Sequence, residues 1–144
     1  MAVGLSPRLA AIVDVLPIEP QLRVLEIGCG PGAAARAIAA RLTTGHILAI
    51  DRSAKAIAQA AANSAAEIAS GRMSLRQAAI ENFILQPGEP PFDLVFAVRV
   101  GALDGRHPEA GARALRRIAA VLSPSGQLFI DGHRSVLPRT SRDR

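Results

Sequence analysis

The chain has no tryptophan and no tyrosine, and only four phenylalanines in 144 residues. Proteins that hold single strands of nucleic acid stack bases on aromatic rings set in a basic groove, and so few rings give little of that platform. Lysine is nearly absent as well: Lys55 stands alone, and arginine supplies the rest of the 17 basic residues behind the net charge of +5. These arginines, among them Arg36, Arg41, Arg52, Arg72, Arg76, Arg113, Arg116 and Arg117, are spread along the chain instead of gathered in one run. A phosphate footprint needs clustering on one face, so they are read as solvated helix faces and nucleic acid is not expected as a partner. A single cysteine, Cys29, excludes an intrachain disulfide and a cysteine-built zinc site, and a reducing cytoplasm is the expected compartment. No apolar run approaches the roughly 20 residues that cross a bilayer, so no membrane partner is expected. The apolar stretch 9–16 is short, is interrupted by Asp14 and lacks a basic region before it, which argues against a signal peptide.

What is present is apolar and periodic. Hydrophobic residues make up 49% of the chain, enough for a buried core and too many for a disordered polymer. Ser6-Pro7 is a helix start, a hydroxyl cap before proline, and Leu9, Ile12, Val13 and Leu16 follow at helical spacing. Short apolar runs bounded by turn residues mark strands at 23–27, 46–50, 92–98 and 127–131, and 73–77 is a weaker third strand. Between them lie an alanine-rich helix over 33–42, a helix capped by Ser53 running to about Ser70, and a helix opened by His107-Pro108-Glu109. The segment 123–126 is a turn, and no strand pattern follows residue 131.

Strands that are apolar throughout and alternate with helices imply a parallel sheet covered on both faces. The expected fold is a doubly wound α/β domain over 1–133, with about five strands in the order 3-2-1-4-5, followed by a basic tail over 134–144. In such sheets ligands bind at the carboxyl ends of the strands, beside the point where strand order reverses.

The loop at that point is Gly28-Cys29-Gly30-Pro31-Gly32. Its glycines let the backbone turn sharply between strand and helix and approach a ligand closely, and the helix start offers unpaired N–H groups. Asp51, at the end of the second strand, is placed to accept hydrogen bonds from ribose hydroxyls. The pocket therefore suits an adenosine-containing molecule. Gly28, Gly30 and Ala33, with Asp51 beyond them, satisfy a dinucleotide pattern, so a nicotinamide cofactor is one reading. Glu26, inside the first strand, favours another: a carboxylate there offsets a cationic ligand and repels a pyrophosphate.

Val24-Leu25-Glu26-Ile27-Gly28-Cys29-Gly30-Pro31-Gly32 resembles the first motif of class I S-adenosylmethionine-dependent methyltransferases. Later segments extend the resemblance in order: Asp51; residues 77–83; Phe92-Asp93-Leu94-Val95-Phe96; and residues 122–128, which are similar to that family's late proline-glycine turn. The resemblance implies that S-adenosylmethionine binds, with S-adenosylhomocysteine as product, through Glu26, Ile27, Gly28, Cys29, Gly30, Pro31, Gly32, Asp51, Arg52, Ala79, Ile80, Glu81 and Ala97. Ala79 stands where the family carries an acid for the adenine amino group, and Glu81 or a backbone carbonyl is its substitute. The family's sixth and seventh strands have no counterpart in the pattern. That would leave the fifth strand as a bare edge, on which a homodimer could form.

Methyl transfer from a sulfonium asks the protein mainly to align the acceptor and exclude water, so no obligatory catalytic motif exists. Three residues on the ligand edge are candidates for the chemistry: His107 and His133 as a base, and Arg99 as a clamp for a substrate carboxylate or phosphate. Residues 97–100 lack the proline-rich motif of the family's nucleic-acid amino methylases, the paired glutamates of arginine methylation are missing, and Asp93, Asp104 and Asp131 are too scattered to assert a metal site. The expected activity is methylation of an oxygen or nitrogen of a small molecule. The rivals are a non-catalytic subunit of the same fold that needs a partner chain, and a nicotinamide-binding protein.

Overall fold

The computed structural model of the protein describes residues 4–137. The chain starts with helix α1 (Pro7–Val15), where the Ser6 hydroxyl accepts from the Leu9 amide at 3.1 Å and Pro7 occupies the first turn. Strand β1 (Arg23–Ile27) leads through the glycine loop to α2 (Ala33–Ala39), and β2 (His46–Asp51) leads to α3 (Ala54–Asn63) and α4 (Ala65–Ala69). Then come β3 (Met73–Gln77), β4 (Phe92–Ala97), α5 (Pro108–Val121), β5 (Leu122–Ile130) and β6 (His133–Ser135), with short helical turns at Ile80–Asn82 and Gly101–Leu103. Among the described residues no helix is long and apolar enough to cross a membrane.

The sheet order is β3-β2-β1-β4-β5-β6. Its first five strands are parallel, which is the expected doubly wound arrangement, and β6 runs antiparallel to β5. Side chains alternate between the two faces of each strand. Val24, Ile47, Ala49, Leu94 and Phe96 join the core under α1, α2 and α3. Leu25, Ile27, Leu48, Ile50 and Val95 join the core under α5 and the Ile80–Asn82 turn. Glu26 lies in register between Ala49 and Phe96, on the α2 face, and is 4% exposed.

Three elements depart from the sequence reading. The helix expected to run from Ser53 to about Ser70 breaks at Ser64, a fully buried residue whose hydroxyl accepts from Arg36 Nη1 at 3.1 Å; the pair Asn63-Ser64, whose side chains compete for backbone groups, is the local signal for it. Residues 123–126, expected as a turn, lie inside β5, where the extra residues are taken up as a register shift: Phe92 pairs with Leu122, and two residues later Leu94 pairs with Gln127. Lastly, a sixth strand exists where none was expected. Asp131 (φ 51°) and Gly132 (φ 84°) reverse the chain, and Ile130 then pairs with His133 and Leu128 with Ser135. The bare β5 edge is therefore covered, and the first residues assigned to the tail, Arg134 and Ser135, belong to the sheet. Residues 138–144 of that tail lie outside the described residues.

Candidate functional site

The parallel strands finish along one edge of the sheet, where an open cleft of about 230 Å³ lies. A closed small-molecule pocket has roughly 300–1,000 Å³, so this cleft covers one side of a ligand and leaves the other open.

At the β1–β2 end the backbone is tied down tightly. The amides of Gly28 and Cys29 both donate to the Ile50 carbonyl, at 2.8 and 3.0 Å, and the Gly32 amide donates to the Cys29 carbonyl at 3.0 Å. Asp51 spans the loop and the next helix: Oδ2 accepts from the Gly30 amide at 3.0 Å and Oδ1 from the Ser53 amide at 2.9 Å. Gly28 has φ 73°, and a Cβ there would stand 2.8 Å from Val100 Cγ2. Only glycine meets both conditions without displacing its neighbour.

Glu26 lies buried beneath this loop, and its Oε1 has no hydrogen-bond partner. Removal from water pushes its carboxyl up to about 8, with repulsion from Asp51 as the smaller cause. Cys29 responds in the same way, raised to about 12 by burial first and then by Glu26 and Asp51. A thiol held that far from ionisation is no nucleophile.

The middle of the cleft follows β3. The Ala78 amide donates to the Asp51 carbonyl at 3.0 Å, which brings Ala78, Ala79, Ile80 and Glu81 alongside Asp51 and Arg52. The β4–β5 end is built differently. Arg99 has φ 54° and its amide donates to Asp131 Oδ1 at 2.8 Å, while the Asp131 amide donates to the Ala97 carbonyl at 2.9 Å. Residues 100–102 continue the wall, and Gly111 of α5 lets that wall pack closely, since a Cβ there would stand 2.8 Å from the Ala102 carbonyl oxygen.

Of the residues singled out in the sequence, Ile27, Gly28, Asp51, Arg52, Ala79, Ile80, Glu81 and Arg99 line the cleft together. Glu26 lies under the loop instead of in the wall. Cys29, Gly30, Pro31 and Gly32 do not line it, because the loop folds back into its own hydrogen bonds and onto α2. Ala97 is buried in β4, with its carbonyl taken by Asp131. Neither histidine candidate reaches the cleft: His107 is exposed at the start of α5, and His133 is carried into β6 by the chain reversal. Four wall residues escaped the sequence reading, namely Ala78, Val100, Gly101 and Ala102. They carry no polar group to draw attention, and their only signal is a run of small apolar residues just past a strand. Among the described residues no cluster of histidine, cysteine, aspartate and glutamate could hold a metal ion.

Comparison with known proteins gives a consistent neighbourhood. A family model described as "Methyltransferase domain" matches residues 24–126. A trans-aconitate 2-methyltransferase of Streptomyces avermitilis is 37% identical over 87 residues, covering 60% of this chain and 31% of that protein. Among solved structures, an S-adenosylmethionine-dependent methyltransferase from Mesorhizobium loti superposes with a TM-score of 0.67 at 25% identity, over 88% of this chain and 55% of that one. The 4+2-cyclase SpnF superposes with a TM-score of 0.66 at 26% identity, over 84% and 42%. The chain thus spans about a third to a half of the length of these relatives.

Proposed function

Since the chain belongs to the S-adenosylmethionine-dependent methyltransferase family, we propose that it transfers a methyl group from that cofactor to an oxygen or nitrogen of a small molecule. The observation that carries this reading is Glu26, a buried carboxyl group with an unpartnered oxygen under the glycine loop. Leaving a buried acceptor unpaired costs about 1–3 kcal/mol. A cationic ligand arriving above it draws off the Glu26 proton and pairs with the carboxylate so formed, whereas a pyrophosphate offers that group no partner. The cofactor supplies a methyl group activated on a sulfonium sulfur.

The chain's own residues bind, orient and shield. Glu26 gives up its proton as the cationic ligand arrives and then offsets that charge. Each Asp51 oxygen already accepts one backbone N–H and retains a further lone pair, which suits ribose hydroxyls. Ala79, Ile80 and Glu81 line the part of the cleft next to Asp51 and are assigned to the base. On the other side of Gly28, Val100 and Ala102 give an apolar wall that keeps water from the reacting centre.

Calorimetric titration of the purified chain tests this. S-adenosylhomocysteine and S-adenosylmethionine are expected to bind at sub-millimolar concentration and NAD is not; binding of NAD alone reverses the assignment. A radiolabelled methyl-transfer screen against small acceptors then separates an enzyme from a subunit that needs a partner. The second reading draws on the open cleft.

A further inference from the structure

We propose that Arg99 selects an acceptor bearing a carboxylate, that Asp131 positions Arg99 for it, and that the product is a methyl ester. The inference deepens the methyl-transfer reading of the cleft and depends on it.

At the β4–β5 end the wall consists of Arg99, Val100, Gly101 and Ala102, so Arg99 is its one charge. Two acids of the neighbouring segments are engaged: Asp104 pairs with Arg106 at 2.7 Å, and Asp131 accepts from the Arg99 amide instead of its side chain. Among the described residues no carboxylate pairs with the Arg99 guanidinium. A planar, permanently charged group left without a counter-ion beside a ligand cleft is matched to a carboxylate by shape as well as charge.

The backbone supports a positioning device. Arg99 and Asp131 are the two non-glycine residues with positive φ among those described, at 54° and 51°, and they are bonded to each other. A left-handed residue with a Cβ is held there against its own preference by its surroundings, and such strain gathers at ligand sites. The Arg99 amide to Asp131 Oδ1 bond, closed by the Asp131 amide to the Ala97 carbonyl, is that restraint.

A carboxylate acceptor also fits a cleft that no histidine lines. An ionised carboxylate has no proton to lose. One of its oxygens accepts from the guanidinium, and the other attacks the methyl carbon. The new O–CH₃ bond forms as the carbon–sulfur bond breaks and its electron pair stays on sulfur. The negative and positive charges cancel, and no base is required.

The test uses the chain saturated with S-adenosylhomocysteine and titrated with glutarate, its uncharged analogue glutaramide and inorganic phosphate, followed by the NMR shifts of the amides of residues 100–102. Glutarate is expected to bind and glutaramide is not. Arg99→Gly accepts the left-handed backbone and removes only the side chain, so it is expected to lose glutarate affinity about tenfold or more while S-adenosylhomocysteine binding is kept. Asp131→Ala is expected to weaken glutarate likewise, and Asp131→Asn, which retains an oxygen acceptor and tolerates positive φ, to restore it. Glutarate binding equally well to Arg99→Gly, or not binding the loaded wild-type chain, overturns the proposal. Phosphate binding as tightly as glutarate overturns the carboxylate assignment. Loss of S-adenosylhomocysteine binding in the wild-type chain condemns the underlying methyl-transfer reading instead, and the two failures are told apart in the first titration.

Discussion

The two ends of the cleft hold their residues by different means. At the β1–β2 end a loop of three glycines is fastened by backbone bonds to Ile50 and by both oxygens of Asp51, over a carboxylate that the core has enclosed. At the β4–β5 end an exposed arginine and a half-buried aspartate hold each other in backbone conformations that neither prefers. The first end is built before any ligand arrives, and its cost lies in one buried group, Glu26. The second end presents side chains from segments between elements, where sequence can change without disturbing the sheet. A cofactor common to many proteins and an acceptor particular to one would be served by such a division.

The contrast is sharpest in its response to pH, where the largest effect is expected. The fold keeps the proton on Glu26 up to about pH 8, whereas the unfolded chain releases it near 4.5. Between those values the native state binds more protons, so stability falls as pH rises through the window, at up to about 1.4 kcal/mol per unit. Glu26→Gln is expected to flatten the slope in denaturant melts at pH 5 and pH 8; an unchanged slope assigns it to another group. Glu89 cannot imitate this. Its carboxyl is held below its ordinary value, chiefly by the hydrogen bond from Arg76, and its contribution is lost only on acidification below 4.5. Next in size is Asp51→Ala, which frees the Gly30 and Ser53 amides and removes the ribose acceptor. S-adenosylhomocysteine binding should weaken by about 1–3 kcal/mol while the glutarate response at the other end is retained, and calorimetry that finds both ends weakened together would erase the distinction. The smallest effect belongs to Arg99→Gly. Relief of the left-handed backbone and the added freedom of the unfolded chain oppose each other, so the stability is expected to stay within about 1 kcal/mol of wild type. A melting temperature that drops by more than a few degrees would mean that Arg99 supports the fold itself.

How much of this was legible in the sequence follows the same division. The bounds of β1 could be read because an apolar run stops at glycine, and Glu26 stood out as a carboxylate inside that run; β3 was the weakest strand of the pattern, with Ser74, Arg76 and Gln77 among its five residues. Asp51 was readable from its place at a strand end, two residues before a helix cap. β6 was not, because His133, Arg134 and Ser135 form an edge strand of three polar residues with no alternation to detect. The Ser64 break had a signal in the pair Asn63-Ser64 that the alanines around it outweighed, and the buried serine receiving Arg36 is what fixes it. The β4–β5 wall was the least visible part, since its shape depends on two φ angles and on a pairing of residues 32 positions apart.

The short strand β6 also sets a hierarchy of motion. Three residues at the end of a sheet open at far lower free energy than its centre, and β6 is joined to β5 through Asp131 and Gly132. Each fraying of β6 therefore slackens the aspartate that restrains Arg99, whereas the Gly30 amide, held from β2, is untouched. In hydrogen exchange the Arg99 amide should follow the rhythm of the sheet's margin, and the Gly30 amide that of its interior.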